Sequence, residues 1–112
     1  MIVCIPVDDV GWVGPAWGRA AQVAVADVQN GEIVSWDVHE VRWDIRHDEG
    51  THGGHHARVV TFLREHGIEA VAVRAMGEGM TKVLHAMDIP VWFDADGPAR
   101  DVALAIAAGE SR

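Results

Sequence analysis

"QVAVADVQNGEIVSWDVHEVRW" (residues 22–43) holds two runs of alternating apolar residues on either side of Asn30-Gly31. Asn-Gly tolerates positive φ at both central positions of a two-residue turn, so the stretch reads as an antiparallel β-hairpin. Strands are expected over residues 22–28 and 32–43. In the second run Val34, Trp36 and Val38 share one phase, while Val41, Trp43 and Ile45 share the other. A bulge or strong twist near His39 and Glu40 would reconcile the two.

On the N-terminal side, "IVCIPV" (residues 2–7) is a short β-branched run bounded by turn residues, the mark of a buried strand. On the C-terminal side, His56, Val59, Val60 and Leu63 follow helical spacing, with Gly67 placed to end the helix. "EAVAV" (residues 69–73) is the next buried strand. Met80, Val83, Leu84 and Met87 again follow helical spacing up to Pro90, which discourages continuation. "VWFDA" (residues 91–95) is a last strand. The closing helix has Pro98 in its first turn and Gly109 beyond its end.

The order strand, hairpin, helix, strand, helix, strand, helix predicts an α/β sandwich around a mixed sheet. Hairpin partners run antiparallel, whereas strands joined through helices run parallel by right-handed crossovers. The connections over residues 8–18, 44–55, 75–79 and 94–97 are then expected at one edge of the sheet, where open α/β folds bind ligands.

At 112 residues, one compact core and a single domain spanning 1–112 are expected. Apolar residues make up 49% of the chain and run from end to end, which excludes a disordered or low-complexity protein. A net charge of -8 argues against a general nucleic-acid binder, since phosphate backbones are held by many Lys and Arg side chains. Cys4 is the only cysteine, so one chain makes no disulfide and no thiolate cluster. With no secretory pattern at the N-terminus and no apolar run of bilayer length, a cytoplasmic protein with no membrane association is expected.

Two glycine-rich connections could carry binding chemistry. "GPAWGRA" (residues 14–20) delivers a large aromatic, Trp17, and a cation, Arg19. "MGEGM" (residues 76–80) turns into a helix whose unpaired N–H groups favour an anion, which singles out Met76, Gly77, Gly79 and Met80. The third candidate is "HDEGTHGGHH" (residues 47–56), with four of the seven histidines. Neutral imidazole is a common ligand for zinc, copper, nickel or iron, so His47, His52, His55 and His56 are candidate metal contacts. Asp44, Asp48 and Glu49 could add oxygens. His52 and His56 are spaced to share a helix side, whereas His55 and His56 would diverge. A solvated polar loop is the plainer alternative. Cys4, in mid-strand, reads as a small core side chain. Asp8 and Asp9 read as turn residues, with a carboxylate pair for metal-dependent hydrolysis left open. His39, His66 and His85 receive no role.

"IVCIPVDD" (residues 2–9), "GPAWGRA", "VADVQNGEIV" (residues 25–34), the glycine- and histidine-bearing stretch and "AVRAMGEGMTKVLHAMDIPVW" (residues 72–92) together resemble the dinitrogenase iron-molybdenum cofactor biosynthesis family, the nitrogenase accessory factors. The likeness runs along essentially the whole chain. It implies a ribonuclease H-like three-layer sandwich with five strands in the order 3-2-1-4-5, the second antiparallel. It also implies a non-catalytic carrier of an iron-molybdenum or related metal-sulfur cluster or its precursor, with cofactor-assembly proteins as partners and a monomer or homodimer as the assembly. Two departures from the family pattern are Trp17, where Phe is usual, and Arg74, where a small residue is common. A metal-dependent phosphoester hydrolase using Asp8, Asp9 and Asp94, and a protein-interaction module with no metal role, are the competing readings.

Overall fold

A computed structural model describes residues 1–46 and 52–109, His52 by its backbone alone. The elements in chain order are β1 (Ile2–Pro6), β2 (Val23–Gln29), β3 (Glu32–His39), α1 (Trp43–Arg46), α2 (His52–Glu65), β4 (Ala70–Ala72), α3 (Glu78–Ala86), β5 (Val91–Trp92) and α4 (Ala99–Ala107). They build one five-stranded sheet in the order β3-β2-β1-β4-β5. β2 is antiparallel to both β1 and β3, while β1–β4 and β4–β5 are parallel.

The hairpin turn is as the sequence implies. Asn30 (φ 52°) and Gly31 (φ 78°) both take positive φ, which matches the right-handed twist of the strands that they join. The bulge lies elsewhere than expected. Register shifts between Asp27 and Val28, and β3 ends at His39 rather than running on to residue 43. Arg42 takes a left-handed φ of 55°, and its carbonyl accepts from the amides of Ile45 (3.1 Å) and Arg46 (2.9 Å), so Trp43 opens a helical turn. This turn drives Trp43 into the core at 2% exposure, a burial that a continued edge strand would not provide. The change of apolar phase along residues 34–45 is therefore the end of a strand.

Alternation along the strands splits the core into two layers. Val3, Ile5, Ala24 and Ala26 face Ala99, Ala103 and Ile106 of α4. Cys4, Val23 and Val71 face the other way, against Val59 and Leu63 of α2 and Met80 and Leu84 of α3. The result is a three-layer sandwich with α4 on one face and α2 with α3 on the other. Leu63 and Leu84 are buried at 1% and 0% exposure. Truncating either to Ala removes about 2–5 kcal/mol, a large share of the stability of so small a domain. No helix among the described residues is long and apolar enough to cross a membrane.

Candidate functional site

Parallel pairing sends β1 and β4 to the same edge, and the loops that follow them meet the start of α2 there. Between them lies a cavity of about 620 Å³. Its walls are residues 15–19 from the first glycine-rich loop, His55 and His56 from α2, and Ala75, Met76, Gly77, Gly79 and Met80 at the opening of α3. Every expected cofactor-binding residue, Trp17, Arg19, Met76, Gly77, Gly79 and Met80, thus lines one cavity, and two of the four candidate histidines join them. The fourth connection does not. Asp94 and Asp96 line a separate cavity of about 150 Å³ beside α4.

The electrostatics of the cavity differ from those of the whole chain. Among the described residues no carboxylate lines it, although the protein carries a net charge of -8. Arg19 is exposed and brings a full positive charge. Gly77 caps α3 with extended geometry (φ -64°, ψ 152°) and no side-chain cap, so the first amides of the helix keep their donors for another acceptor. Met76 and Met80 add polarizable thioethers. Trp17 is packed under this wall at 1% exposure, edge-on to Trp43 with ring centroids 5.2 Å apart. Its indole Nε1 is buried with no hydrogen-bond partner among the described residues.

The two adjacent histidines diverge, as successive helical positions must. His55 is the one buried polar or charged side chain among the described residues, at 7% exposure. Its Nε2 lies 2.8 Å from the Gly18 carbonyl and its Nδ1 lies 2.9 Å from Arg58 Nη1. His56 turns toward α3 instead. A Cβ at Gly79 would stand 3.1 Å from His56 Cε1, so the close approach of the ring depends on the glycine.

Helix α2 begins at His52, so residues 52–55, expected as loop, belong to its first turns. Two glycines there cost about 1 kcal/mol each in helix propensity. The ties made by His55 offset part of that cost. His47, Asp48 and Glu49 fall outside the described residues, as does the side chain of His52. Among the described residues no group of three His, Cys, Asp or Glu side chains is placed to hold a metal ion.

Asp8 is a turn residue. Its Oδ1 accepts from the amides of Val10 (3.0 Å) and Trp12 (2.9 Å). Asp8 and Asp9 line a different cavity from Asp94. Asp44 pairs with Arg42 at 3.1 Å and lines a neighbouring cavity that shares Pro15, Ala16 and Arg19 with the one lined by His55 and His56. Cys4 is fully buried, and burial pushes its thiol well above the ordinary range, which keeps it neutral.

Sequence reasoning missed Arg58, Trp43 and Gly18 as parts of the site. Arg58 was within reach of it, because His55 and Arg58 are i, i+3 neighbours on one helix face. Gly18 left no signal, since its contribution is a backbone carbonyl. The contact of His39 with His66, ring centroids 4.5 Å apart beside Phe62, was also invisible, because it joins the end of β3 to the end of α2.

The fold superposes on the crystal structure of PH0822 with a TM-score of 0.77 at 23% identity, covering 100% of this chain and 95% of that one. It superposes on the apo form of the orange protein from Desulfovibrio gigas with a TM-score of 0.77 at 19% identity, covering 99% and 90%. A protein from Methanocaldococcus jannaschii gives a TM-score of 0.67 at 17% identity, covering 98% and 90%. At these identities the likeness concerns the fold. A search of curated proteins finds no match. The family model described as dinitrogenase iron-molybdenum cofactor matches residues 1–109, and the chain belongs to that family.

Proposed function

We propose that this chain is a non-catalytic, single-domain carrier that binds an iron-molybdenum or related metal-sulfur cluster, or its precursor, and passes it to cofactor-assembly proteins. The observation that carries this reading is the cavity of about 620 Å³, with no carboxylate among its described lining residues in an acidic protein, and bordered by Arg19 and the uncapped start of α3. Metal-sulfur clusters are anionic, and oriented amides with one cation suit such a cargo. The buried Cys4 supplies no thiolate, so the cargo is held by hydrogen bonds, by Arg19 and by imidazole. His56 is the contact on the described wall, with His52 and His47 preceding it in sequence. The thioethers of Met76 and Met80 offer soft, apolar contact to sulfide. Family membership supports the same assignment.

We read the sandwich as ribonuclease H-like, the protein as cytoplasmic, and its assembly as a monomer or homodimer. Tag-free apo-protein dialysed anaerobically against tetrathiomolybdate, molybdate, iron with sulfide, copper and zinc, followed by metal analysis, tests the function. Saturable binding of a sulfide-bearing species, weakened by Arg19→Gln and by His56→Ala, is expected. Absence of saturable binding across the series would overturn the proposal.

A further inference from the structure

We infer that His55 is a positioning residue of the cargo cavity rather than a ligand: locked as the neutral Nε2–H tautomer, it clamps the Gly18 carbonyl and holds the first glycine-rich loop against α2. The inference rests on the carrier reading for its functional consequence, though the clamp itself is a property of the apo-protein.

The tautomer follows from the partners. A carbonyl oxygen only accepts and a guanidinium only donates. Nε2 therefore carries the proton given to Gly18 at 2.8 Å, and Nδ1 is the bare nitrogen that accepts from Arg58 at 2.9 Å. The same Arg58 Nη1 donates to the carbonyl of Arg46 at 2.8 Å, so the end of α1, the face of α2 and the glycine loop are tied in one chain of bonds. The ring of Trp43 stands edge-on to His55, with ring centroids 6.5 Å apart. At 7% exposure the imidazole is shielded from water, where each of these bonds is stronger and each unmade one is costly.

The carbonyl that His55 holds lies between the two residues that give the loop its binding character. Trp17 precedes Gly18 and Arg19 follows it. Fixing that peptide fixes where the indole packs and where the guanidinium starts, which is how an outer hydrogen bond tunes a binding wall without touching the cargo. A metal ion could take a nitrogen of His55 only by breaking a bond to Gly18 or Arg58. His56, one residue on, lines the cavity beside it.

The test uses full-length, tag-free protein with 15N-labelled histidine. His55 is assigned by the signal lost in His55→Gln. A widely split pair of ring nitrogens is expected, protonated at Nε2 and bare at Nδ1, and it should keep that pattern when tetrathiomolybdate or zinc is added. His55→Leu should retain the fold, speed amide exchange at Ala20, whose N–H bonds the Trp17 carbonyl at 3.1 Å, and weaken tetrathiomolybdate binding about tenfold. His55→Gln, which can still donate and accept, should restore affinity to within about threefold of wild type. The opposite tautomer, averaged ring signals, a metal-induced shift at His55, or wild-type exchange and binding in His55→Leu would each overturn the assignment. If no form of the protein binds tetrathiomolybdate or any other cargo, the carrier reading fails, while the ring signals and the Ala20 exchange still decide the clamp.

Discussion

Replacing Trp17 by Phe and by Ala separates two effects that its burial combines. The side chain is 1% exposed and packs edge-on to Trp43 at 5.2 Å and 68°. Truncation to Ala deletes that packing and opens a cavity between the glycine loop and α2, at a cost of about 3–5 kcal/mol. Phe keeps an aromatic ring in place and much of the pair interaction, which is worth about 0.5–1.5 kcal/mol beyond area burial. Phe also removes the indole N–H, which has no partner among the described residues and whose desolvation costs about 1–3 kcal/mol. The lost volume and the relieved donor oppose each other at similar size. Trp17→Phe should therefore fall within about 1 kcal/mol of wild type, of either sign, while Trp17→Ala loses at least about 3 kcal/mol. Guanidinium denaturation followed by far-ultraviolet circular dichroism, which is insensitive to the loss of one fluorophore, measures both variants. Equal m-values would show that the comparison concerns the folded state. A Phe variant as damaged as the Ala variant would refute the reasoning, because it would mean that the indole N–H makes a stabilising bond.

Three further outcomes follow from particular residues. Gly79→Ala gains up to about 1 kcal/mol of helix propensity but brings a Cβ to 3.1 Å from His56 Cε1; melting temperature should hold or rise slightly while cargo affinity falls as the ring is displaced, and unchanged affinity would contradict the role of His56. Cys4 should resist thiol reagents in the native protein and react at once in denaturant; because its folded pKa is raised, the neutral thiol's contribution is present below the ordinary thiol pKa and is lost as pH rises past it, so alkaline titration should destabilise wild type more than Cys4→Ala. Gly31→Ala should cost about 1 kcal/mol by denaturation, since φ of 78° is strained for any residue with a Cβ, and a neutral effect would argue against the turn geometry.

Several features of this protein are local enough to be legible in the chain. Asn30-Gly31 encodes its own turn, and the period of Met80, Val83, Leu84 and Met87 encodes a helix, because both depend on neighbours a few residues away. Strand direction follows almost as directly, since a hairpin imposes antiparallel pairing and helical crossovers impose parallel pairing and handedness, whereas the order of the strands was implied by the family resemblance. That topology already brings residues 14–20, 76–80 and the histidine stretch to one edge. The end of β3 was not legible, because the change of phase between Val38 and Val41 fits a bulge as well as a strand end, and only the burial of Trp43 under α2 decides between them.

The sequence alone therefore determined the types of element, the directions of the strands and the meeting of three of the four loops, all of which arise from periodicity and connection length. Tertiary structure alone decided how the histidines are used. Residue type marks His55 and His56 as equivalent donors, and the sequence holds no record of the Gly18 carbonyl or of the distance to Arg58 Nη1. Coordination, hydrogen bonding and solvation compete for the same ring nitrogens, and only the folded positions of the partners determine which of them each nitrogen meets.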